Sequence, residues 1–275
     1  MNPILYEMHM HTPLCKHAVG SPEEYAAVAQ KRGLKGIVVT CHNPTNDGWS
    51  PTTRMSEAEF DQYVELVARA RTTWRGRIDI RLGMESDFVP GMETWLTDLH
   101  SRAEFHHVLG SVHPHLPEYR QKYFAGDYVQ YQCTYFEHLA IAAETGLFDT
   151  LAHPDLVKNV EPSEWQLDRI IDQVCQYLDR IAATNTAMEL NTSGLNKNIA
   201  EMSPSTAILV EMHKRDIPVV VGADAHKPER VGDRFRDALE ILRDIGYTDT
   251  SFFLNRERQD HPIDDVLSTI VSGDS

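Results

Sequence analysis

Apolar residues in this chain come in short runs, and the runs follow two alternating patterns. The first is a compact block of branched or small residues that stops abruptly, as in Gly36-Ile37-Val38-Val39 and Pro218-Val219-Val220-Val221. Such blocks predict strands buried on both faces. The second spaces apolar residues three or four apart, as in Phe60, Val64 and Val67, or Ile170, Val174 and Leu178. That period predicts amphipathic helices. Strands are predicted to end at His11, His42, Glu85, His113, His153, Asn191 and His226. Helices are predicted between them, opening at Ser21-Pro22, where Ser caps and Pro takes the first helical position, and then over 56–73, 91–103, 127–145, 163–184, 203–213 and 232–245. A polar loop fills 43–53, long enough to fold over a site. Phe252-Phe253-Leu254 predicts a last strand, and 263–271 a closing turn of helix.

Strand and helix alternate throughout, which calls for a parallel sheet with helices packed outside it. The expected fold is α/β, a distorted (β/α)7 TIM-like barrel, with residues 1–275 forming a single domain. There is no internal repeat or low-complexity segment. The formal net charge of −15 repels nucleic acid and anionic membrane. No apolar run approaches the length needed to span a bilayer. Four cysteines without a C-x-x-C pair indicate neither a disulfide framework nor a thiolate zinc knuckle. A cytoplasmic setting is the expectation.

The chemistry lies where the strands stop. His9 and His11 are two apart, so a strand presents both on one face, and Asp224 and His226 repeat the arrangement. His42, Glu85, His113 and His153 each finish an apolar run. If the strands lie parallel in one barrel, all these side chains meet at one rim. Imidazole and carboxylate together suit zinc, manganese or iron, and Glu85 has two oxygens with which to bridge two ions. His17 lies in the loop after the first strand and His115 lies two beyond His113. His100, His106, His107, His138, His213 and His261 sit on helices, at strand starts or in the tail, and are expected to be structural. Cys15 and Cys41 are expected to be neighbours of the site and not ligands.

These residues resemble the polymerase-and-histidinol-phosphatase (PHP) metallo-phosphoesterases, histidinol-phosphatase type. The matching segments are His9-Met10-His11-Thr12 with His17, Thr40-Cys41-His42-Asn43-Pro44, Gly83-Met84-Glu85, Gly110-Ser111-Val112-His113, Ala152-His153-Pro154-Asp155, Glu189-Leu190-Asn191 and Gly222-Ala223-Asp224-Ala225-His226. They run in family order over almost the whole chain. The resemblance implies three divalent ions. His9, His11, Glu85 and Asp224 would hold the first. Glu85, His113 and His153 would hold the second, and His17, His42 and His226 the third. It implies hydrolysis of L-histidinol phosphate, in histidine biosynthesis, by a hydroxide generated at the metals. Lys158 and Lys197 would orient phosphate, and Asp224 or His115 would protonate the leaving alkoxide.

Two positions depart from the family pattern, Glu7 where Asp is usual and Cys41 where an acidic residue is frequent. The alternatives are a PHP phosphoesterase for another phosphomonoester or a phosphodiester, a metal-dependent amide hydrolase, a nucleic-acid-associated module, and a metal-binding protein without catalysis. The expected partner is a small phosphate ester, with no nucleic acid and no membrane.

Overall fold

The computed structural model describes residues 2–271. Strands β1 (Tyr6–Glu7), β2 (Gly36–Val39), β3 (Asp79–Asp87), β4 (His107–Ser111), β5 (Thr150–Leu151), β6 (Ala187–Asn191), β7 (Val219–Gly222), β8 (Asp249–Leu254) and β9 (Glu257–Pro262) form one nine-stranded sheet in sequence order. Neighbours from β1 to β8 are parallel; β8 and β9 form an antiparallel hairpin. Helices α1 (Pro22–Lys31), α2 (Phe60–Thr73), α3 (Glu93–His100), α4 (Pro117–Tyr123), α5 (Tyr128–Glu144), α6 (Ile171–Ala182), α7 (Thr206–His213), α8 (Phe235–Ile245) and α9 (Ile263–Thr269) complete the chain. Beyond their carboxyl ends, β1 and β7 meet directly. The Ala225 amide donates to the His9 carbonyl at 3.0 Å and the His11 amide donates to the Ala225 carbonyl at 2.9 Å. One bridge therefore joins the first and seventh strands of the α/β, TIM-like arrangement at the rim.

Side chains alternate across each strand, and the alternation separates two cores. Ile37, Val39, Met84, Val108, Met188, Val219 and Val221 face outward into the large cluster shared with the helices. Tyr6, Met8, Val38, Ala187, Val220, Phe252 and Phe253 form a smaller inner cluster. Rings of Tyr6 and Phe252 lie 5.0 Å apart within it. The inner positions turn polar towards the carboxyl ends, from Val38 to His42 and from Val220 to Asp224. The amino half of the interior is thus filled with hydrocarbon, and the carboxyl half presents ligating groups.

Several elements differ from expectation. The 163–170 stretch forms short 3-10 turns, and helix α6 starts only at Ile171. Helix α8 starts at Phe235, because Arg234 adopts a left-handed backbone (φ 60°). Helix α4 was not expected. Nor was β9, whose residues are mostly exposed and polar and carry no apolar alternation.

Candidate metal centre

Nine side chains from seven segments of the chain converge at the carboxyl rim. His9 and His11 are fully buried and share a face, since Met10 between them points into the outer core. Ring centroids of His11 lie 4.4 Å from His42 and 4.0 Å from His226. His113 and His153 are 5.0 Å apart, and His42 stands 5.3 Å from His113. His17 is exposed, yet its Nε2 lies 2.9 Å from Nε2 of His226.

Glu85, at 0 % exposure, sits in the middle of this ring. Its Oε1 is 3.1 Å from His153 Nε2 and 3.4 Å from His113 Nε2. Its Oε2 is 2.7 Å from His42 Nδ1, 3.4 Å from His9 Nε2 and 3.5 Å from His11 Nε2. The two oxygens therefore address two sets of imidazoles, as a bridging ligand must. Asp224 Oδ1 lies 3.0 Å from His11 Nε2 and 3.6 Å from His9 Nε2. Its Oδ2 accepts from Ser193 Oγ at 3.1 Å.

A second layer fixes the rings. Glu189 Oε1 is 2.8 Å from His9 Nδ1, while its Oε2 accepts from the His153 amide and from Asn191 Nδ2. Asp87 Oδ1 is 2.8 Å from His113 Nδ1, and the far side of Asp87 is gripped by Arg54. Backing of this kind selects the tautomer that turns the other nitrogen towards a metal. Gly222 is required here: a Cβ on it would meet Glu189 Oε1 at 2.1 Å. His153 (φ 32°) and Asp224 (φ 47°) both adopt left-handed backbone. For residues other than glycine this costs on the order of 1–3 kcal/mol, and the strain falls on two residues of the rim cluster.

The donor set fits divalent cations. Nε2 of His9, Nδ1 of His42 and Oε2 of Glu85 are buried without a hydrogen-bond partner, a costly state for polar atoms unless an ion satisfies them. Nδ1 of His17 lies 2.7 Å from the Cys15 carbonyl, and Nδ1 of His226 lies 3.0 Å from the Asp224 carbonyl. If each donates there, the two Nε2 atoms face each other with lone pairs, an arrangement that a shared cation relieves. His17, His42 and His226 form one ligand-spaced triad; His9, His11 and Asp224 form another, and His11, His42 and Glu85 a third.

The electrostatics match. Burial opposes ionisation of Glu85 and Asp224, but the surrounding imidazoles outweigh it and hold both carboxyls well below the usual range. Burial lowers His226 to about 3. Burial also lowers His11, but Asp224, Cys15 and Glu85 raise it to about 9. A cation entering there displaces a proton.

Glu7 and Cys41, the departures from the family pattern, stand behind the rim histidines. Glu7 accepts from the amides of His9, Ala223 and Gly232, joining β1 to the chain beyond β7. Cys41 Sγ lies 3.1 Å from Thr12 Oγ1 and points away from the ring.

Lys158 requires correction as a phosphate-holding residue. It is fully buried, and its ammonium donates to Asp155, Glu201 and the Met202 carbonyl at 3.0, 3.2 and 2.8 Å. Its three N–H groups are spent on protein partners, and it does not line the pocket. Lys197 does line the pocket, as an exposed cation at its mouth beside His115. The pocket encloses about 520 Å³ above Glu85, His113, His153 and Asp224.

The backing roles of Arg54, Asp87, Glu189 and Ser193 escape a reading of strand ends. The inner-face parity carries the signal for two of them, since Asp87 lies two after Glu85 and Glu189 lies two before Asn191. Three further carboxylates near the rim are occupied within the chain, Asp87 by Arg54. Asp47 accepts the Trp49 amide and Glu118 accepts the Ser50 amide.

Residues 7–193 match the PHP domain model. The probable histidinol-phosphatase of Deinococcus radiodurans is 35% identical over 90% of this chain and 96% of its own length. The histidinol-phosphatase of Bacillus subtilis is 25% identical over 84% of this chain and 97% of its own. In fold, the chain is similar to the histidinol phosphate phosphatase of Lactococcus lactis, solved with zinc, L-histidinol and phosphate. The TM-score is 0.79 at 15% identity, over 93% of this chain and 98% of that one. By the extent of the domain match and the identity to the Deinococcus relative, the chain belongs to the PHP domain family.

Proposed function

We propose that this chain is a metal-dependent phosphomonoesterase that hydrolyses L-histidinol phosphate to L-histidinol and phosphate. One observation carries the chemistry: buried imidazole and carboxylate atoms without hydrogen-bond partners converge on Glu85 at the floor of an open pocket. The histidinol-phosphatases of similar length and the zinc-, histidinol- and phosphate-bound relative support the substrate.

His9, His11, Glu85 and Asp224 would hold one divalent ion. Glu85, His113 and His153 would hold a second, and His17, His42 and His226 a third. Such ions supply a water pKa near neutrality and a clamp on the non-bridging phosphoryl oxygens. Phosphate monoester hydrolysis is among the slowest uncatalysed reactions, so both contributions are needed.

The chain's own groups do the rest. Lys197 at the mouth attracts and orients the phosphate. Asp224 is ionised and touches Ser193 through Oδ2. That oxygen faces the pocket and is one candidate to relay a proton to the leaving alkoxide. His115, 5.5 Å from His113 at the mouth, is the other candidate donor. Leu116 and Leu156 supply the apolar part of the pocket lining.

A second reading, a PHP phosphoesterase for another ester, is favoured by one feature. The side chamber that continues from the pocket past His115 and Lys197 is lined by Asn159, Asn196 and Asn198 and by no carboxylate. A hydroxylated leaving group would suit it as well as an ammonium does. The test is phosphate release by the zinc- or manganese-loaded protein from L-histidinol phosphate, compared with sugar phosphates, nucleotides and phosphodiesters. The proposal expects kcat/KM for L-histidinol phosphate to exceed the rest and to vanish on chelation. Preference for another ester would overturn the substrate and leave the metal centre standing.

Among the described residues no helix is long and apolar enough to cross a membrane. We infer the cytoplasm as the working compartment, and all four cysteines are free thiols.

A further inference from the structure

A second large cavity, about 900 Å³, lies away from the metal centre on the outer face of β3. Its origin is a mismatch of helix lengths. Helix α2 has 14 residues and α3 has 8, about 21 Å against about 12 Å. The shorter helix leaves the amino half of β3 without a roof. The floor is aliphatic: Val64 and Val67 from α2, Ile80 and Leu82 from β3.

The rim is basic, in a chain of net charge −15. Arg71, Arg75, Arg77 and Arg102 line it. Arg77 lies over Trp74 and Arg102 pairs with Glu57. Arg71 and Arg75 are exposed and, among the described residues, make no ion pair or side-chain hydrogen bond. Of the lining carboxylates, Asp79 is occupied by Tyr6 and Arg81, which leaves Glu104. Two guanidinium forks, Arg71 at the end of α2 and Arg75 in the turn after it, therefore line an apolar trough beside Arg77, which donates to the Thr73 carbonyl at 2.9 Å. Forks of this kind take phosphate oxygens two at a time. The volume is that of a small-molecule pocket.

We infer that this groove is a second ligand site, distinct from the metal centre, for a nucleoside diphosphate. The diphosphate lies along Arg71 and Arg75, and the flat base rests on the half-buried Val64, Leu82 and Ala103. The site lies on the amino side of β3, whose carboxyl end carries Glu85, so strand β3 connects the two sites.

The test is equilibrium binding of a fluorescent, methylene-bridged ADP analogue, which the metal centre cannot hydrolyse, to the zinc-loaded enzyme. Saturating inorganic phosphate occupies the metal centre during the titration. The expected result is one saturable site, unmoved by phosphate and weakened at least tenfold in Arg71→Glu/Arg75→Glu. Ala68→Trp, placed at the exposed mouth, should block it as well. All these side chains are exposed and outside the metal centre, so phosphate-ester turnover should be unchanged in both variants. Binding that inorganic phosphate abolishes, or that both variants retain, would assign the nucleotide to the metal centre and overturn the proposal. Absence of saturable binding would overturn it too. Displacement by an acidic peptide but not by the unlabelled nucleotide would replace the ligand class with a protein partner.

Discussion

His107 and His113 stand on the same inner face of β4 and the chain just beyond it, and they have opposite environments. His107 packs flat on Phe253 at 5.4 Å and its Nε2 lies 2.9 Å from Thr150 Oγ1. Burial lowers it to about 3. His113 has Asp87 behind it and Glu85, His42 and His153 before it, and the carboxylates raise it despite burial. One neutral imidazole fills the closed end of the interior; the other joins a ring of groups that share too much negative charge and too many lone pairs. A metal centre is thus a property of convergence at the carboxyl rim and not of histidine as a residue type.

The sharpest way to break the contrast is at its hub. Glu85→Ala should lower turnover by about 10³-fold or more, because the clamp on developing charge is lost. Metal content, read by mass spectrometry of the purified protein, should fall with it. Asp87→Asn is the next step down. It leaves His113 in place but removes the carboxylate that orients it, which should cost about 10–100-fold in metal affinity or activity. Chelator competition would measure that loss.

The opposite end should behave differently. His107→Ala empties a packed site and should destabilise the fold by about 2–5 kcal/mol in urea melts. Bound metal and kcat should stay as they are. Loss of metal in this variant would dissolve the distinction between the two ends.

A smaller effect concerns acid. His107 and His100 are lowered to about 3 and His138 to about 4, in each case by burial. The unfolded chain binds these protons near pH 6.5 and the folded chain does not. Their contribution to stability is therefore full above pH 6.5 and is lost as pH falls from 6.5 towards 3–4. Each group costs about 1.4 kcal/mol per pH unit within that window. Urea midpoints at pH 7 and pH 5 should differ less in His107→Gln than in the natural chain.

Much of this was legible in the residues because rim position and strand end coincide. A buried parallel strand is a short apolar block, and its carboxyl end opens onto the site, so His42, Glu85, His113 and Asp224 identify themselves by where the block stops. Helices with a strong apolar period, such as α2 and α6, were legible for the same reason. The hairpin strand β9 was not, since its solvated polar side chains follow no period and the β8 backbone specifies it. Nor was α4, seven residues from Pro117 to Tyr123.

Partnerships across the interior are the second class that pattern misses. Glu189 meets His9 across 180 positions and Arg54 meets Asp87 across 33. Lys158 shows the converse. Its position after β5 suited phosphate, but Asp155, Glu201 and the Met202 carbonyl claim its ammonium.

The central claim is that the rim cluster works only when filled with cations. Zinc titrated into the chelated protein, with phosphate release from L-histidinol phosphate followed at each addition, tests it directly. The account predicts no turnover before zinc, a rise that levels off once about three ions per chain are bound, and proton release on binding as His11 gives up its proton. Full turnover in the metal-free protein would contradict it.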